Sequence, residues 1–324
     1  MRRQADMSVW QGRIDGEEGA LAKRWHQVVS SEPKDHGVSL LGFVCDEGIR
    51  RNQGRVGAAL APAAIRKALA NLAWHGERSL CDAGDVVCVD GELEIAQSEL
   101  AHAVQQALER QQLPVVLGGG HEVAFGSWSG LAAHALKQSQ LPRIGVLNFD
   151  AHFDLRTASQ ANSGTPFQQI AEVCKARNWP FSYACLGVAE ASNTGALFER
   201  AHALKVHYVL DHQLLAEPKR TYSELQAWLE SIDWLHLSFC LDVLPAAQAP
   251  GVSAPAALGV GIEHLLPLLT LARESGKLKL AELAELSPPF DQDARTAKLA
   301  ARLVFEFVGA QFIAPTRSIG QFHG

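Results

Sequence analysis

Along most of this chain, short apolar runs alternate with longer segments of helical period, and this alternation limits the fold more than any other feature. The runs at 38–46, 113–120, 143–150, 181–188, 206–211, 234–242 and 278–286 read as strands. Segments 61–74, 92–112, 122–138, 167–178, 194–205, 222–232, 261–276 and 294–312 read as helices, the first with Pro62 in its opening turn. Strands joined through crossover helices pair in parallel, and a parallel sheet needs both faces covered. The pattern therefore predicts an α/β fold with a mostly parallel sheet between two helical layers. No linker, repeat or low-complexity tract interrupts it. Residues 1–324 read as one domain, with an N-terminal extension over 1–36 and a C-terminal tail over 313–324.

A chain of 324 residues, 47% hydrophobic and 20% charged, can bury the core such a fold requires. Its formal charge of -6 and pI near 6.1 supply no attraction for nucleic acid or an anionic membrane, which leaves small-molecule chemistry. The N-terminal MRRQADMSVWQGRIDGEEG has two arginines but no apolar stretch behind them, and no apolar run is long enough to span a bilayer, so a cytoplasmic location is expected. The cysteines (Cys45, Cys81, Cys88, Cys174, Cys185, Cys240) include no C-x-x-C pair, and several lie inside apolar runs as small hydrophobes. A disulfide framework is not expected.

In an open parallel sheet, ligands bind beyond the carboxyl ends of the strands. Three of the expected strands end on polar clusters: LPVVLGGG runs into His121 and Glu122, RIGVLNFD into Asp150, His152 and Asp154, and WLHLSFCLD into Cys240 and Asp242. The D-x-H-x-D spacing of NFDAHFD brings three oxygen or nitrogen donors into five residues, as a metal site needs and a packed core does not. Imidazole mixed with several carboxylates suits a divalent ion such as Mn²⁺, and more acids than one ion requires point to a pair. Cys240 and Asp242, two residues apart, are expected to share one face of the strand.

At these residues the sequence resembles the ureohydrolase family, which contains arginases, agmatinases and formimidoylglutamases. The resemblance runs through LGGGHEVAFGSWSG (117–130), VLNFDAHFD (146–154) and SFCLDVLPAAQAPGVSAPAALG (238–259), and covers nearly the whole chain. It implies a three-layer α/β/α domain around an eight-stranded, mostly parallel, arginase-like sheet. It also implies two manganese ions sharing a hydroxide, held by His121, Asp150, His152, Asp154 and positions 240 and 242. Position 240, where the family pattern has a bridging aspartate, is cysteine here. A thiolate offers one soft sulfur, so Zn²⁺ or Fe²⁺ becomes an alternative to Mn²⁺. A single well-held ion, or a member with impaired catalysis, is the other reading of that change.

Within the family, GFVCDEGIRRNQGRVGAALAPAAIRKAL (42–69), LRTASQANSGTPFQQ (155–169), GVAEASNT (187–194) and DVLPAAQAPGVSAPA (242–256) resemble the formimidoylglutamase branch. Phe167 stands where arginases typically carry a histidine. The expected activity is hydrolysis of N-formimidoyl-L-glutamate to L-glutamate and formamide, a step of histidine degradation. Glu285 matches the glutamate that holds the substrate's cationic nitrogen, and Asp154 would both ligate metal and pass a proton. The two substrate carboxylates need basic or amide partners, for which Arg156 comes first, followed by Asn52, Arg55, Ser163, Thr165 and Asn193. An agmatinase or guanidinobutyrase fits the same metals with a different pocket for the substrate tail. Family members commonly assemble as trimers or hexamers, which leaves a homo-oligomer open.

Overall fold

The structure, a computed structural model, describes residues 1–138 and 140–309. Ten strands form one sheet: β1 (Arg2–Arg3), β2 (Val29–Ser30), β3 (Val38–Val44), β4 (Leu80–Val87), β5 (Leu113–Leu117), β6 (Ile144–Phe149), β7 (Ser182–Val188), β8 (His207–Leu210), β9 (Trp234–Cys240) and β10 (Leu278–Ala284). The order is β1-β4-β3-β5-β10-β9-β6-β7-β8, with β2 against β4. From β3 to β10 every pairing is parallel, which gives the eight parallel strands that the family resemblance implied. Two-residue β1 and β2 are additions at the β4 edge, β1 antiparallel.

The helices are α1 (Trp25–Val28), α2 (Glu47–Arg51), α3 (Ala61–Leu69), α4 (Leu93–Glu109), α5 (Val123–Ala135), α6 (Pro166–Ala176), α7 (Gly195–Ala203), α8 (Asp211–Ala216), α9 (Pro218–Glu230), α10 (Ile262–Glu274) and α11 (Arg295–Val308). Period-2 alternation sorts the strand residues between two helical layers. Leu235, Leu237 and Phe239 of β9, with Leu147 and Phe149 of β6, pack on α3 and α8–α11. Leu280, Ala284 and Val146 face α4–α7 on the other side. The expected helix 294–312 ends at Val308, and its last three positions, with the tail 313–324, lie outside the described residues. Among the described residues, no helix is long and apolar enough to cross a membrane.

Besides the two-residue β1 and β2, strand β4 is absent from the sequence expectation. Its sequence, LCDAGDVV, carries two aspartates and a glycine where a buried strand should be apolar. The aspartates face Arg66 of α3: Nε and Nη2 each donate to Asp82 at 2.8 Å, and Nη1 donates to Asp85 Oδ1 at 2.7 Å. Trp10 Nε1 adds a bond to Asp82 Oδ2 at 2.8 Å, tying the N-terminal extension to the sheet. Gly84, at φ +80, forms a bulge between the Leu40 and Gly42 pairings, a geometry that costs a larger residue strain.

Because Asp82 is buried, removing its partner strands a charge. Arg66→Met is expected to lower unfolding free energy by about 3–5 kcal/mol in a urea titration. A loss below about 1 kcal/mol would show that the pair contributes little.

Candidate metal centre

The four central strands of the parallel set, in the order β5-β10-β9-β6, end side by side and supply the polar clusters. After β5 the chain runs through Gly118–Gly120 to His121. This turn is too tight for side chains: a Cβ on Gly119 would overlap the Cys45 carbonyl, and one on Gly118 the Leu283 carbonyl. The next strand in the sheet, β10, ends at Ala284, so Glu285 follows immediately, and its Oε1 accepts from His121 N at 2.8 Å. Glu285 at φ +72 and Asp154 at φ +47 both hold the left-handed conformation, which non-glycine residues adopt where surrounding structure imposes it.

His121 Nδ1 lies 2.9 Å from Asp150 Oδ2 and 2.8 Å from Asp154 Oδ2, yet meets hydrogen-bond geometry with neither. On the other side of Asp150, His152 Nδ1 lies 3.5 Å from Asp150 Oδ1 and 3.3 Å from Asp242 Oδ2. Donor atoms of His121, Asp150 and Cys240 fall within 4.8 Å of one another, as do those of Asp150, His152 and Asp242. Asp150 belongs to both groups. The shared strand face expected for Cys240 and Asp242 is corrected: β9 ends at Cys240, and Leu241–Val243 is a 3-10 turn. That turn still swings Asp242 back, and the Cys240 thiol donates to Asp242 Oδ1 at 2.7 Å.

Electrostatics set this region apart from a packed core. Burial and the charge of Asp150 push Asp154 and Asp242 above the usual carboxylate range. Burial, Asp242 and Glu122 push Glu285 well above it. Asp150 alone is held low, because the His121 and His152 imidazoles beside it outweigh its burial. The Cys240 thiol is driven well up by burial and by the carboxylates around it. Dry carboxylates that repel one another call for cations. The orphaned buried Nδ1 of His121 and the mixed imidazole–carboxylate donor set fit a divalent metal pair.

Above the cluster opens a cavity of about 320 Å³, with His152, Asp154, Cys240, Asp242 and Glu285 in its wall. Five of the six expected substrate-binding residues line it: Asn52, Arg55, Arg156, Ser163 and Asn193. Their states differ. Arg156 is exposed, and its guanidinium makes no hydrogen bond or ion pair among the described residues. Arg55 is committed to the carbonyls of Ser253 and Val252 at 2.9 and 2.6 Å, and stacks over Phe290. Asn52 Nδ2 donates to Ser163 Oγ at 3.1 Å.

Asn193 is fully used by the backbone. Its amide donates to the Ala151 and Ala189 carbonyls at 2.9 Å each, and its Oδ1 accepts from Phe153 N at 3.1 Å. It clamps the loop that carries His152 and has no donor left for a substrate. Thr165 is a further correction, because it does not line the cavity. Its hydroxyl bonds Asn162 and Gln169, holding the loop ahead of α6. Phe167 is buried edge-on against the His121 ring at 5.3 Å and stacks on Tyr183 at 4.5 Å.

Supporting residues went unnoticed in the sequence. Asn148 Nδ2 donates to Asp150 Oδ2 at 3.0 Å and to Tyr183 Oη at 3.1 Å. Ser238 Oγ lies 3.0 Å from His121 Nε2. Each sits two residues before a cluster residue, and polar residues at that interval within apolar strands were the available signal. Glu122, buried behind the glycine turn, accepts from Gly48 N at 3.0 Å, and burial pushes its pKa up to about 7.

Fold and cluster together define a class. Residues 36–309 match the Arginase family, and the chain belongs to it. It is 56% identical over 309 residues to a formimidoylglutamase of Aeromonas hydrophila, covering 94% of this chain and 98% of that one. It is 51% identical over 330 residues to the formimidoylglutamase of Ralstonia nicotianae, covering all of both. A variant of the Trypanosoma cruzi formiminoglutamase, solved with Mn²⁺, superposes with TM-score 0.80 at 25% identity, over 89% of this chain and 98% of that one. The formimidoylglutamase of Bacillus subtilis has the same fold, with TM-score 0.81 at 20% identity over 95% of each chain.

The Asn193 clamp can be tested alone. Asn193→Ala removes three hydrogen bonds, two of them buried, and is expected to cost on the order of 3 kcal/mol of unfolding free energy. Hydrogen exchange at the Phe153 amide should accelerate with it. An unchanged Phe153 rate would mean that the loop is held by other contacts.

Proposed function

We propose that this protein is a binuclear metal hydrolase that converts N-formimidoyl-L-glutamate and water to L-glutamate and formamide. The carrying observation is the unpaired guanidinium of Arg156 at the wall of a cavity otherwise rich in carboxylates. A cationic tail such as that of agmatine would be repelled there, whereas a substrate carboxylate gains a charge-assisted bond. The full-length similarity to formimidoylglutamases supports the same choice.

One ion would be held by His121, Asp150, Asp154 and Cys240, the other by Asp150, His152, Cys240 and Asp242. When bound, the pair supplies Lewis acidity, which lowers the pKa of water toward neutrality. The remaining work falls to the chain. Glu285, anchored through Oε1, turns its carboxylate to the cavity and is suited to accept the N–H groups of an amidinium. Water adds to the amidine carbon, the bond from that carbon to the glutamate nitrogen breaks, and the nitrogen takes a proton. Asp154, held against His121 and open to the cavity, is suited to carry that proton.

Formamide release from N-formimidoyl-L-glutamate is expected to exceed urea release from arginine or agmatine. Equal or faster urea release overturns the assignment. Arg156→Ala should lose about 1.5–3 kcal/mol, or roughly ten- to more than a hundredfold in kcat/KM, mainly through KM. An unaltered kcat/KM removes Arg156 from substrate binding.

Cys240 gives a separate outcome. Cys240→Asp restores a hard bridging donor and is expected to raise Mn²⁺ affinity roughly tenfold or more relative to Zn²⁺, measured by calorimetry on protein freed of metal. Unchanged stoichiometry and preference would make the thiol a packing residue.

A further inference from the structure

The loop that carries Arg156 is folded back on itself. Arg156 N donates to the Gly164 carbonyl at 2.8 Å, and Gly164 N donates to Asn162 Oδ1 at 3.0 Å. Residue 164 is glycine although its backbone does not call for one, since it lies outside the left-handed region that favours glycine. The reason is what lies over it. A Cβ at 164 would come 2.8 Å from Arg156 Cδ and 3.3 Å from its Nε, while the next neighbour, Asn52 Nδ2, stays at 3.4 Å. The Arg156 side chain therefore rests directly on the buried Gly164 backbone.

No hydrogen bond or ion pair holds that side chain among the described residues. A free arginine loses rotamer entropy when it captures a carboxylate, and a seat that limits its rotamers beforehand reduces the loss.

The seat itself is fixed from α2. Arg51, the last residue of that helix, uses all five of its N–H groups: Nε on Glu47, Nη1 on Glu94 and the Ala161 carbonyl, and Nη2 on Glu94 and the Gly91 carbonyl, at 2.7–3.3 Å. The following residue, Asn52, donates to Ser163 Oγ at 3.1 Å. Two consecutive residues thus hold the loop at 161 and 163, immediately before the glycine.

We propose that Gly164 is a positioning residue for substrate recognition. Its bare backbone, held in place by Arg51 and Asn52, sets how far the Arg156 guanidinium reaches into the cavity. A side chain at 164 lifts Arg156 off its seat and carries the guanidinium away from the substrate carboxylate, and small displacements of a positioning group are costly. The role rests on reading Arg156 as the partner of a substrate carboxylate.

The test is steady-state kinetics of formamide release by the Mn²⁺-loaded full-length protein, with thermal unfolding to confirm that each variant folds. Gly164→Ala is expected to raise KM for N-formimidoyl-L-glutamate roughly threefold to tenfold, with kcat within about twofold of wild type. In an Arg156→Ala background the same substitution should raise KM no further, because the atoms it displaces are gone. A wild-type KM in Gly164→Ala overturns the proposal. So does a KM increase of equal size in both backgrounds, which marks a structural effect independent of Arg156. If Gly164→Ala does not fold, Arg51→Lys decides: it keeps a charge beside Glu47 and Glu94 but has too few donors to hold Ala161 as well. Its KM should rise about threefold when Arg156 is present and stay level when Arg156 is alanine, and any other pattern overturns the proposal. Arg156→Ala with unaltered kcat/KM defeats the reading of Arg156 and this role together. A raised KM in Arg156→Ala beside an unaltered one in Gly164→Ala defeats only the role of Gly164.

Discussion

The repulsion among carboxylates at the ends of four neighbouring strands is the constraint on which the rest of the molecule depends. Asp150, Asp154, Asp242 and Glu285 are brought into a dry space around two imidazoles, and those imidazoles hold Asp150 alone below the ordinary carboxylate range. Such a cluster loses energy on folding unless a cation enters, and the fold must be firm enough to hold it until one does. The parallel sheet provides that firmness: β5, β10, β9 and β6 lie side by side, each locked by ladders on both edges. Residues that end those strands can be displaced only by moving the centre of the sheet.

A division of labour between the faces follows. One face is apolar along its length, with Leu235, Leu237 and Phe239 of β9 packed under the helices. The opposite face of the same strand reads His236, Ser238, Cys240, all buried. Hydrophobic stabilisation comes from the first, and the second gives part of it up to contact the residues of the cluster. The two roles alternate residue by residue, so a one-residue slip in the register of β9 would exchange them. Ladders on both edges of β9 are what prevent that slip.

Legibility in the sequence followed this logic. Apolar strands and helices showed through period, and the donors at three strand ends were placed by the rule for parallel sheets. Glu285 came only from the family resemblance, because a lone glutamate after a strand carries no pattern. Strand β4 was hidden because Asp82 and Asp85 look like loop residues until Arg66, on α3, is seen to face them. Asn193 and Thr165 looked like substrate ligands because loop amides and hydroxyls near a site resemble one another in sequence. What separates them from Arg156 is whether the backbone has already used their hydrogen bonds, and that depends on three-dimensional partners such as the Ala151 carbonyl.

Cys240 shows how one altered donor redistributes these roles. An aspartate there would add a further negative charge to the cluster, whereas a protonated thiol adds none. Burial and surrounding carboxylates keep that proton on sulfur, and it is given to Asp242 at 2.7 Å. The thiol thus relieves part of the repulsion before any cation arrives, by acting as a donor where the family pattern has an acceptor. If Cys240 is a ligand, as proposed, a cation would reverse the balance, because its charge would favour thiolate and compete with the proton for the same sulfur. On that reading, cysteine would exchange a permanent negative charge for one that forms only when metal is present. The surrounding frame of Asp150, His152 and Asp242 need not change for that exchange, since their donor atoms already converge without the sulfur.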